Sequence, residues 1–110
     1  MNASTPVRGR VHRVYSDTGE QDERKPFLVV SNNQRNADLG DCPAVRLRPT
    51  RREPRTTRVP LGPADPPPRG FVSCDEITHV FDDELLEDPG ALSHVTMTAV
   101  GKGLKTALAL

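Results

Sequence analysis

The alternation of apolar and polar positions predicts a series of short strands along most of the chain. Phe27 to Val30 is an unbroken apolar run with β-branched residues, which fits a central strand that is buried on both faces. We expect this strand to begin at Pro26, because proline has no N–H to give to a strand ladder. Arg8 to Ser16 alternates instead, with Arg10 and His12 on one face, and predicts a half-exposed strand.

Four later segments also have strand character. They are Ala44 to Pro49, Thr57 to Leu61, Phe71 to Cys74 and Ile77 to Phe81. In the first of these, alternation turns Arg46 and Arg48 away from the core, toward solvent or a ligand. The last two are expected to be separate segments, because the charged dipeptide Asp75-Glu76 stands between them.

The polar stretches between the strands predict loops. Asp17 to Lys25 has no apolar residue, so it cannot pack and predicts a mobile loop that could act as a lid. Ser31 to Asn33 could cap a short turn that runs through Gln34 to Leu39. Pro60 to Arg69 is rich in proline and predicts a stiff surface loop, while Asp82 to Asp88 predicts an acidic connector.

From Leu92 onward the apolar residues recur at spacings of three and four, which predicts a C-terminal helix. Ser93 is its expected N-cap. Gly101 and Gly103 each weaken a helix by up to about 1 kcal/mol relative to alanine, so packing on the strands must hold this one. Short strands followed by a terminal helix predict a mainly β fold, a small SH3-like barrel.

Length and composition narrow the class of protein. A chain of 110 residues predicts one domain over residues 1–110. Its longest apolar runs span four residues, so we expect no signal peptide and no membrane span. Cys42 and Cys74 are too few for a disulfide framework and lack zinc-ligand spacing, so reduced thiols in a cytosolic protein are expected.

The formal net charge is zero, but the charges are distributed unevenly. Six arginines cluster in the middle of the chain: Arg46, Arg48, Arg51, Arg52, Arg55 and Arg58. Acidic residues cluster after them: Asp75, Glu76, Asp82, Asp83, Glu84, Glu87 and Asp88. This pattern indicates either two solvated surfaces that pair with each other or a groove that binds a polyanion.

Several short motifs follow one another in a characteristic order. They are Gly19-Glu20-Gln21, the cation-proline strand ending Val29-Val30-Ser31-Asn32, Pro49-Thr50, the strand Phe71 to Ile77, and the helix ending Gly103 to Leu110. In this order and spacing they resemble the MazF/PemK toxin family of type II toxin–antitoxin systems. The resemblance covers Arg8 to Leu110.

The resemblance implies an SH3-like barrel that forms a homodimer and cuts single-stranded RNA at short sequences without a cofactor or metal. It also implies a cognate antitoxin whose disordered tail occupies the RNA groove. Without a metal, the ribose 2′-OH attacks the adjacent phosphate, and the protein supplies a base, an acid and cations. The residues agree, because no cluster of His, Cys, Asp and Glu has metal-ligand spacing.

The family's catalytic pair is an arginine before the strand proline and a threonine at the end of the next strand. Thr50 matches the threonine, but Lys25 stands in the arginine's position. Either Lys25 substitutes, as a point charge in place of a planar fork, or the neighbouring Arg24 reaches the phosphate. Glu20 is the carboxylate that we would test as the base. The predicted RNA contacts are Arg46, Arg48, Arg51, Arg52, Arg55, Arg58, Gln21 and His12.

Two rival functions fit a barrel of this kind. One is a binding module that does not cut, and the other is a toxin that poisons DNA gyrase on the same scaffold. Incubation with total RNA in EDTA separates the nuclease from both, since only the nuclease produces discrete RNA fragments. Gyrase-linked DNA breaks support the poison, and a barrel that binds a peptide would show neither.

Overall fold

The strands and helices of the computed structural model follow the chain in a simple order. The structure describes residues 5–15, 24–49, 52–67, 69–86 and 90–110. Its main elements are β1 (Arg10–Tyr15), β2 (Arg24–Val29), α1 (Asn33–Leu39), β3 (Asp41–Arg48), β4 (Arg58–Pro60), β5 (Phe71–Phe81), β6 (Gly90–Ala91) and α2 (His94–Leu108). Within these residues, the strands form one curled antiparallel sheet in the order β4-β5-β3-β2-β1-β6, a half-barrel, and α2 packs on β4 and β5. The prediction of a mainly β fold with a C-terminal helix is confirmed.

β2 is buried on both faces, as its unbroken apolar run predicts. Leu28 is 0% exposed on the face that α2 covers, where it belongs to the larger core cluster. Val29 is also 0% exposed, but it packs on the opposite face with Cys42 and Ala44. Because successive strand side chains point to opposite faces, β2 contributes to two core layers.

β2 begins at Arg24 and not at Pro26, which corrects the predicted start of this strand. Pro26 pairs with Arg13 of β1, whereas β3 pairs only with residues 27–29 of β2. Pro26 therefore has no partner on the β3 side, and its missing N–H breaks no ladder bond there.

β1 is more buried than the half-exposed strand that its alternation predicts. His12 is 8% exposed and Val14 is 6% exposed. The segment after β5 lies against them: the Leu86 N–H donates to the carbonyl oxygen of Arg13 at 2.9 Å, and His12 Nδ1 lies 3.1 Å from the carbonyl oxygen of Leu86. A segment distant in sequence thus covers a face that alternation alone leaves open.

β5 is one continuous strand where the sequence predicts two. Its register against β3 shifts at the predicted break. Arg46 pairs with Ser73, yet the preceding residue, Val45, pairs with Ile77, four residues further along β5. Residues 74–76 therefore have no partner on β3 although the strand continues, and the charged dipeptide marks an irregularity within one strand.

Both helices begin at side chains that cap them. The turn predicted after β2 is a helix, α1, because the side chain of Asn32 accepts from the backbone N–H groups of Gln34 and Arg35. Ser93 caps α2 by accepting from the Thr96 N–H, as predicted.

The remaining connections differ from their predicted bounds. β4 is shorter than the predicted strand from Thr57 to Leu61. The acidic connector begins with a 3₁₀ helix, Asp82–Glu84, and β6 is an edge strand too short to leave a sequence pattern. Residues 16–23, which include most of the predicted lid, lie outside the described residues. In the part of the chain that is described, no helix is long and apolar enough to cross a membrane.

Candidate active site

The start of β2 and the end of β3 lie at the same edge of the sheet. The two strands are antiparallel, and Phe27 pairs with Arg46. Lys25 lies two residues before Phe27, and Arg48, the last residue of β3, lies two residues after Arg46, so both stand beyond the last pair at this edge. The sheet therefore brings together a cation that precedes the strand proline and an arginine that the sequence places among the RNA contacts.

Four side chains share one face of the sheet at this edge: Lys25, Phe27, Arg46 and Arg48. The guanidinium carbon of Arg46 lies 5.8 Å from the centroid of the Phe27 ring, which is a cation–π contact. Arg46 Nε also donates to the Leu47 carbonyl oxygen at 3.2 Å. Arg46 is thus held half-buried where the second core layer ends and the surface begins.

Arg48 makes an ion pair with Glu76 of β5. Its Nε donates to Oε2 at 2.9 Å, and its Nη2 donates to Oε1, so the pair is bidentate. The hydrogen bond from Arg48 holds the pKa of the Glu76 carboxyl below its usual range, although partial burial acts against it. Glu76 is therefore ionised at neutral pH, and here the basic and acidic clusters of the sequence meet.

Two adjoining clefts open beside this ion pair. The larger, of about 490 Å³, is lined mainly by prolines and arginines, with Leu61 and Phe71 at its wall. The smaller, of about 310 Å³, lies between Arg48 and the irregular part of β5. Arg52, Arg58 and Phe71 line both clefts. Cations beside apolar walls suit a nucleotide, because its phosphate is charged and its base has apolar faces.

The other predicted site residues are distributed unevenly. Arg55 joins Arg58 in a tight turn, in which the Arg58 N–H donates to the Arg55 carbonyl oxygen at 3.0 Å. His12 is buried beneath Leu86, so it contributes to the fold at that position and not to an open groove. Of Arg24 only the backbone is described. Thr50, Arg51, Glu20 and Gln21 lie outside the described residues.

Two residues of this edge were not predicted from the sequence, Ser73 and Glu76. Both line the smaller cleft. The run of acidic residues indicates only an acidic surface for Glu76. The register shift that brings Glu76 to Arg48 depends on the pairing of two strands that are distant in sequence. The alternation of the strand from Phe71 was the only sequence signal, and it could have placed Ser73 on the same face as Phe71.

The two thiols belong to the core. Cys42 and Cys74 are each 0% exposed, and burial raises the pKa of each thiol to about 11. Since the thiolate is the nucleophilic form of cysteine, neither residue is suited to catalysis.

The chain matches known proteins over most of its length. A family model described as the PemK-like, MazF-like toxin of type II toxin-antitoxin system matches residues 8–108. This chain belongs to that family. The resemblance inferred from the order of its motifs is confirmed.

Individual relatives agree with this assignment. Endoribonuclease MazF1 of Mycobacterium bovis is 43% identical to this chain over 110 residues, which are 100% of this chain and 97% of the relative. A solved mycobacterial endoribonuclease in complex with its cognate antitoxin is 41% identical, with a TM-score of 0.86 over 96% of each chain. A MazE–MazF structure from Deinococcus radiodurans, 21% identical with a TM-score of 0.78 over 97% of this chain and 98% of that one, shares the fold.

Proposed function

We propose that the toxin cuts single-stranded RNA at short sequences without a metal ion, by attack of a ribose 2′-OH on the adjacent phosphate. Its family makes the chain an endoribonuclease toxin of a toxin–antitoxin system, and the mechanism is the step added to that. The products carry 2′,3′-cyclic phosphate and 5′-OH ends, because the 2′-oxygen loses its proton and forms the new bond to phosphorus, while the bond to the 5′-oxygen breaks and that oxygen takes up a proton from water.

The observation that carries this proposal is the register of β2 against β3. It brings the start of β2, with Lys25, and the end of β3, with Arg48, to one edge of the sheet, and clefts lined by arginines open beside the end of β3. A cation on a strand is held in place before the reaction begins. Such a fixed charge stabilises the negative charge that grows on the phosphorane.

Apart from His12, the predicted site residues have separate roles in this mechanism. Lys25, or its neighbour Arg24, stabilises the phosphorane, Thr50 binds the same phosphate, and Glu20 takes the proton of the 2′-OH. RNA is positioned by Arg46, Arg51, Arg52, Arg55, Arg58 and Gln21. Arg48 is engaged by Glu76, so its part in binding depends on that carboxylate.

The toxin's partners follow from the same proposal. The related mycobacterial endoribonuclease was solved with its cognate antitoxin, which supports an antitoxin for this toxin as well. We infer that the antitoxin tail competes with RNA for the clefts, and that two copies of the toxin form a dimer. The two buried cysteines are free thiols, which fits action in the reducing cytosol.

Substitutions of Lys25 and Arg24 at the start of β2 test which of the two is the catalytic cation. If Lys25 stabilises the phosphorane, Lys25→Ala lowers the cleavage rate by roughly 10² to 10³-fold, the effect of losing one oxyanion donor. Lys25→Arg keeps or raises the rate, since a guanidinium holds two phosphate oxygens. Arg24→Ala then weakens binding in a salt-dependent way only. Single-turnover cleavage of a defined RNA measures all three variants.

The converse result, with Arg24→Ala inactive and Lys25→Ala only weakened, assigns the role to Arg24. Thr50→Ala impairs cleavage in both cases. Rates within a few-fold of the parent for both cation variants would contradict the catalytic assignment.

A further inference from the structure

The smaller cleft holds a carboxylate at a place where a nuclease is expected to bind a polyanion. Three arginines, Arg48, Arg52 and Arg58, line it, but so do Asp75 and Glu76. A phosphate that entered this cleft would approach both carboxylates. The charge of the cleft therefore differs from that of a simple phosphate site.

The register shift in β5 is what brings the carboxylate there. Residues 74–76 have no partner on β3, so this part of the strand lacks the β3 ladder that fixes its neighbours, although the Cys74 N–H donates to the Thr57 carbonyl oxygen at 2.9 Å. The side chain of Glu76 accepts hydrogen bonds from both Nε and Nη2 of the Arg48 guanidinium. Ser73 lines the same cleft and also lowers the pKa of the Glu76 carboxyl.

The two N–H groups of Arg48 that donate to the Glu76 carboxylate cannot at the same time bind a phosphate. The side chain of Arg48 is 43% exposed and that of Glu76 is 40% exposed, so RNA can reach the pair. The Arg48–Glu76 pair has no net charge, and its carboxylate oxygens face the RNA as hydrogen-bond acceptors. Carboxylates accept hydrogen bonds from the amino groups of bases, and proteins read unstacked RNA bases along such edges.

We propose that Glu76 determines sequence specificity, by occupying Arg48 so that the part of the smaller cleft beside this pair accepts the edge of a base with an exocyclic amino group in place of a phosphate. This inference rests on the proposed nuclease function and adds the class of ligand for one cleft. Arg48 is then a positioning residue that holds the carboxylate, and phosphate contacts fall to the other cations of the edge.

The salt dependence of RNA binding separates a phosphate contact from a base contact. Binding is measured with an RNA of the cleaved sequence whose 2′-O-methyl groups block the nucleophile. Glu76→Gln frees Arg48 for one phosphate, so the slope of log affinity against log salt steepens by about 0.7, the value for one contact on a single strand. Asp83→Asn, the same charge change on an exposed residue after β5, is the matched control and leaves the slope unchanged.

The double variant Arg48→Gln with Glu76→Gln replaces an ion pair of zero net charge by two uncharged side chains, so the net charge of the cleft is unchanged. It keeps the parent slope if Arg48 makes no phosphate contact in the parent. A slope shallower than the parent's by about 0.7 shows that Arg48 binds phosphate directly, and overturns the proposal. Because the pair is partly exposed, these variants are expected to fold, which circular dichroism checks. If Glu76→Gln does not fold, the double variant decides the question.

Cleavage gives the second readout. RNAs that differ only by the presence of an amino group on one base near the cut site are cut at different rates by the parent. Glu76→Gln reduces this difference by roughly tenfold, the scale of one good contact to a base edge. If the parent cuts at defined sites while Glu76→Gln changes neither the slope nor the selectivity, this inference fails and the nuclease assignment stands. If the parent cuts no RNA, both fail together.

Discussion

Asp65 is the buried carboxylate that ties the proline-rich loop to the start of α2. It is 4% exposed. It accepts hydrogen bonds from the Gly62 N–H at 2.7 Å, the Ser93 N–H at 2.6 Å and the Thr96 hydroxyl at 2.6 Å. A buried charge persists only where such donors replace its water, so this residue couples the loop to the helix.

The pH dependence of stability tests this role. Burial raises the pKa of Asp65, but the hydrogen bonds from Thr96, Ser93 and Gly62 outweigh it and leave the pKa lowered. The contribution of a carboxylate with a lowered pKa is complete above its unfolded value of about 4 and is lost as pH falls through the folded value. Asp65→Asn therefore lowers the free energy of unfolding at pH 7 by on the order of 1–3 kcal/mol. The variant also loses less stability than the parent as the pH falls below about 4.

Urea unfolding from pH 7 to pH 2 measures this effect. Asp38→Asn, an exposed carboxylate on α1, is the control. If the free energy of unfolding falls equally with pH for the parent and Asp65→Asn, the role assigned to the carboxylate is contradicted.

Residue identity alone predicted some positions well and others poorly. The N-cap Ser93 follows from a local pattern, so it could be predicted. His12 and Asp65 could not be placed in this way, because each is buried by a segment distant in sequence. The role of a polar residue depends on what covers it, and that information is not local.

At the scale of elements, the two glycines of α2 have different surroundings. A Cβ built on Gly103 lies 2.7 Å from the Cys74 sulfur and 2.8 Å from the Thr56 carbonyl oxygen, so the helix approaches β5 closely there. A Cβ on Gly101 meets nothing within 4 Å. The same residue type therefore allows close packing at one position and only weakens the helix at the other.

Alanine substitutions at these glycines should change stability in opposite directions. Gly101→Ala raises the free energy of unfolding by about 0.4–1 kcal/mol, because alanine restricts the unfolded chain and favours the helix. Gly103→Ala lowers it by on the order of 1–3 kcal/mol, because the added methyl group overpacks the contact with β5. Thermal unfolding of the two variants beside the parent measures both effects. Equal shifts of the same sign would show that α2 does not approach β5 as described.

Local patterns predicted the elements that have strong periodicity, namely the apolar β2 strand and the C-terminal helix. They did not predict the continuity of β5, the register shift within it, or β6. Each of these is decided by hydrogen bonds between strands that are far apart in sequence. For the same reason, the motifs indicated Lys25 and the arginines, whereas the Arg48–Glu76 pair became visible only in the assembled sheet.

For the whole molecule, the family assignment predicts a two-fold dimer. Val95 is 79% exposed, Leu108 is 50% exposed and Leu110 is 84% exposed. An interface between two copies would cover exposed apolar side chains of this kind. Sedimentation at micromolar concentration should give about twice the chain mass of 12.1 kDa. A strict monomer that still cuts RNA would show that one chain builds the entire groove. That residues 1–110 form a single domain stays a prediction.

RNA cleavage in the presence of EDTA tests the central claim most directly. Purified toxin is incubated with a long defined RNA in excess chelator, and primer extension and end-group analysis locate and characterise the cuts. The mechanism proposed for the β2–β3 edge predicts discrete cuts at a short sequence, with 2′,3′-cyclic phosphate and 5′-OH ends, at a rate that chelation leaves unchanged. Cleavage that EDTA abolishes and Mg²⁺ or Mn²⁺ restores, or products with 5′-phosphate ends, would contradict it.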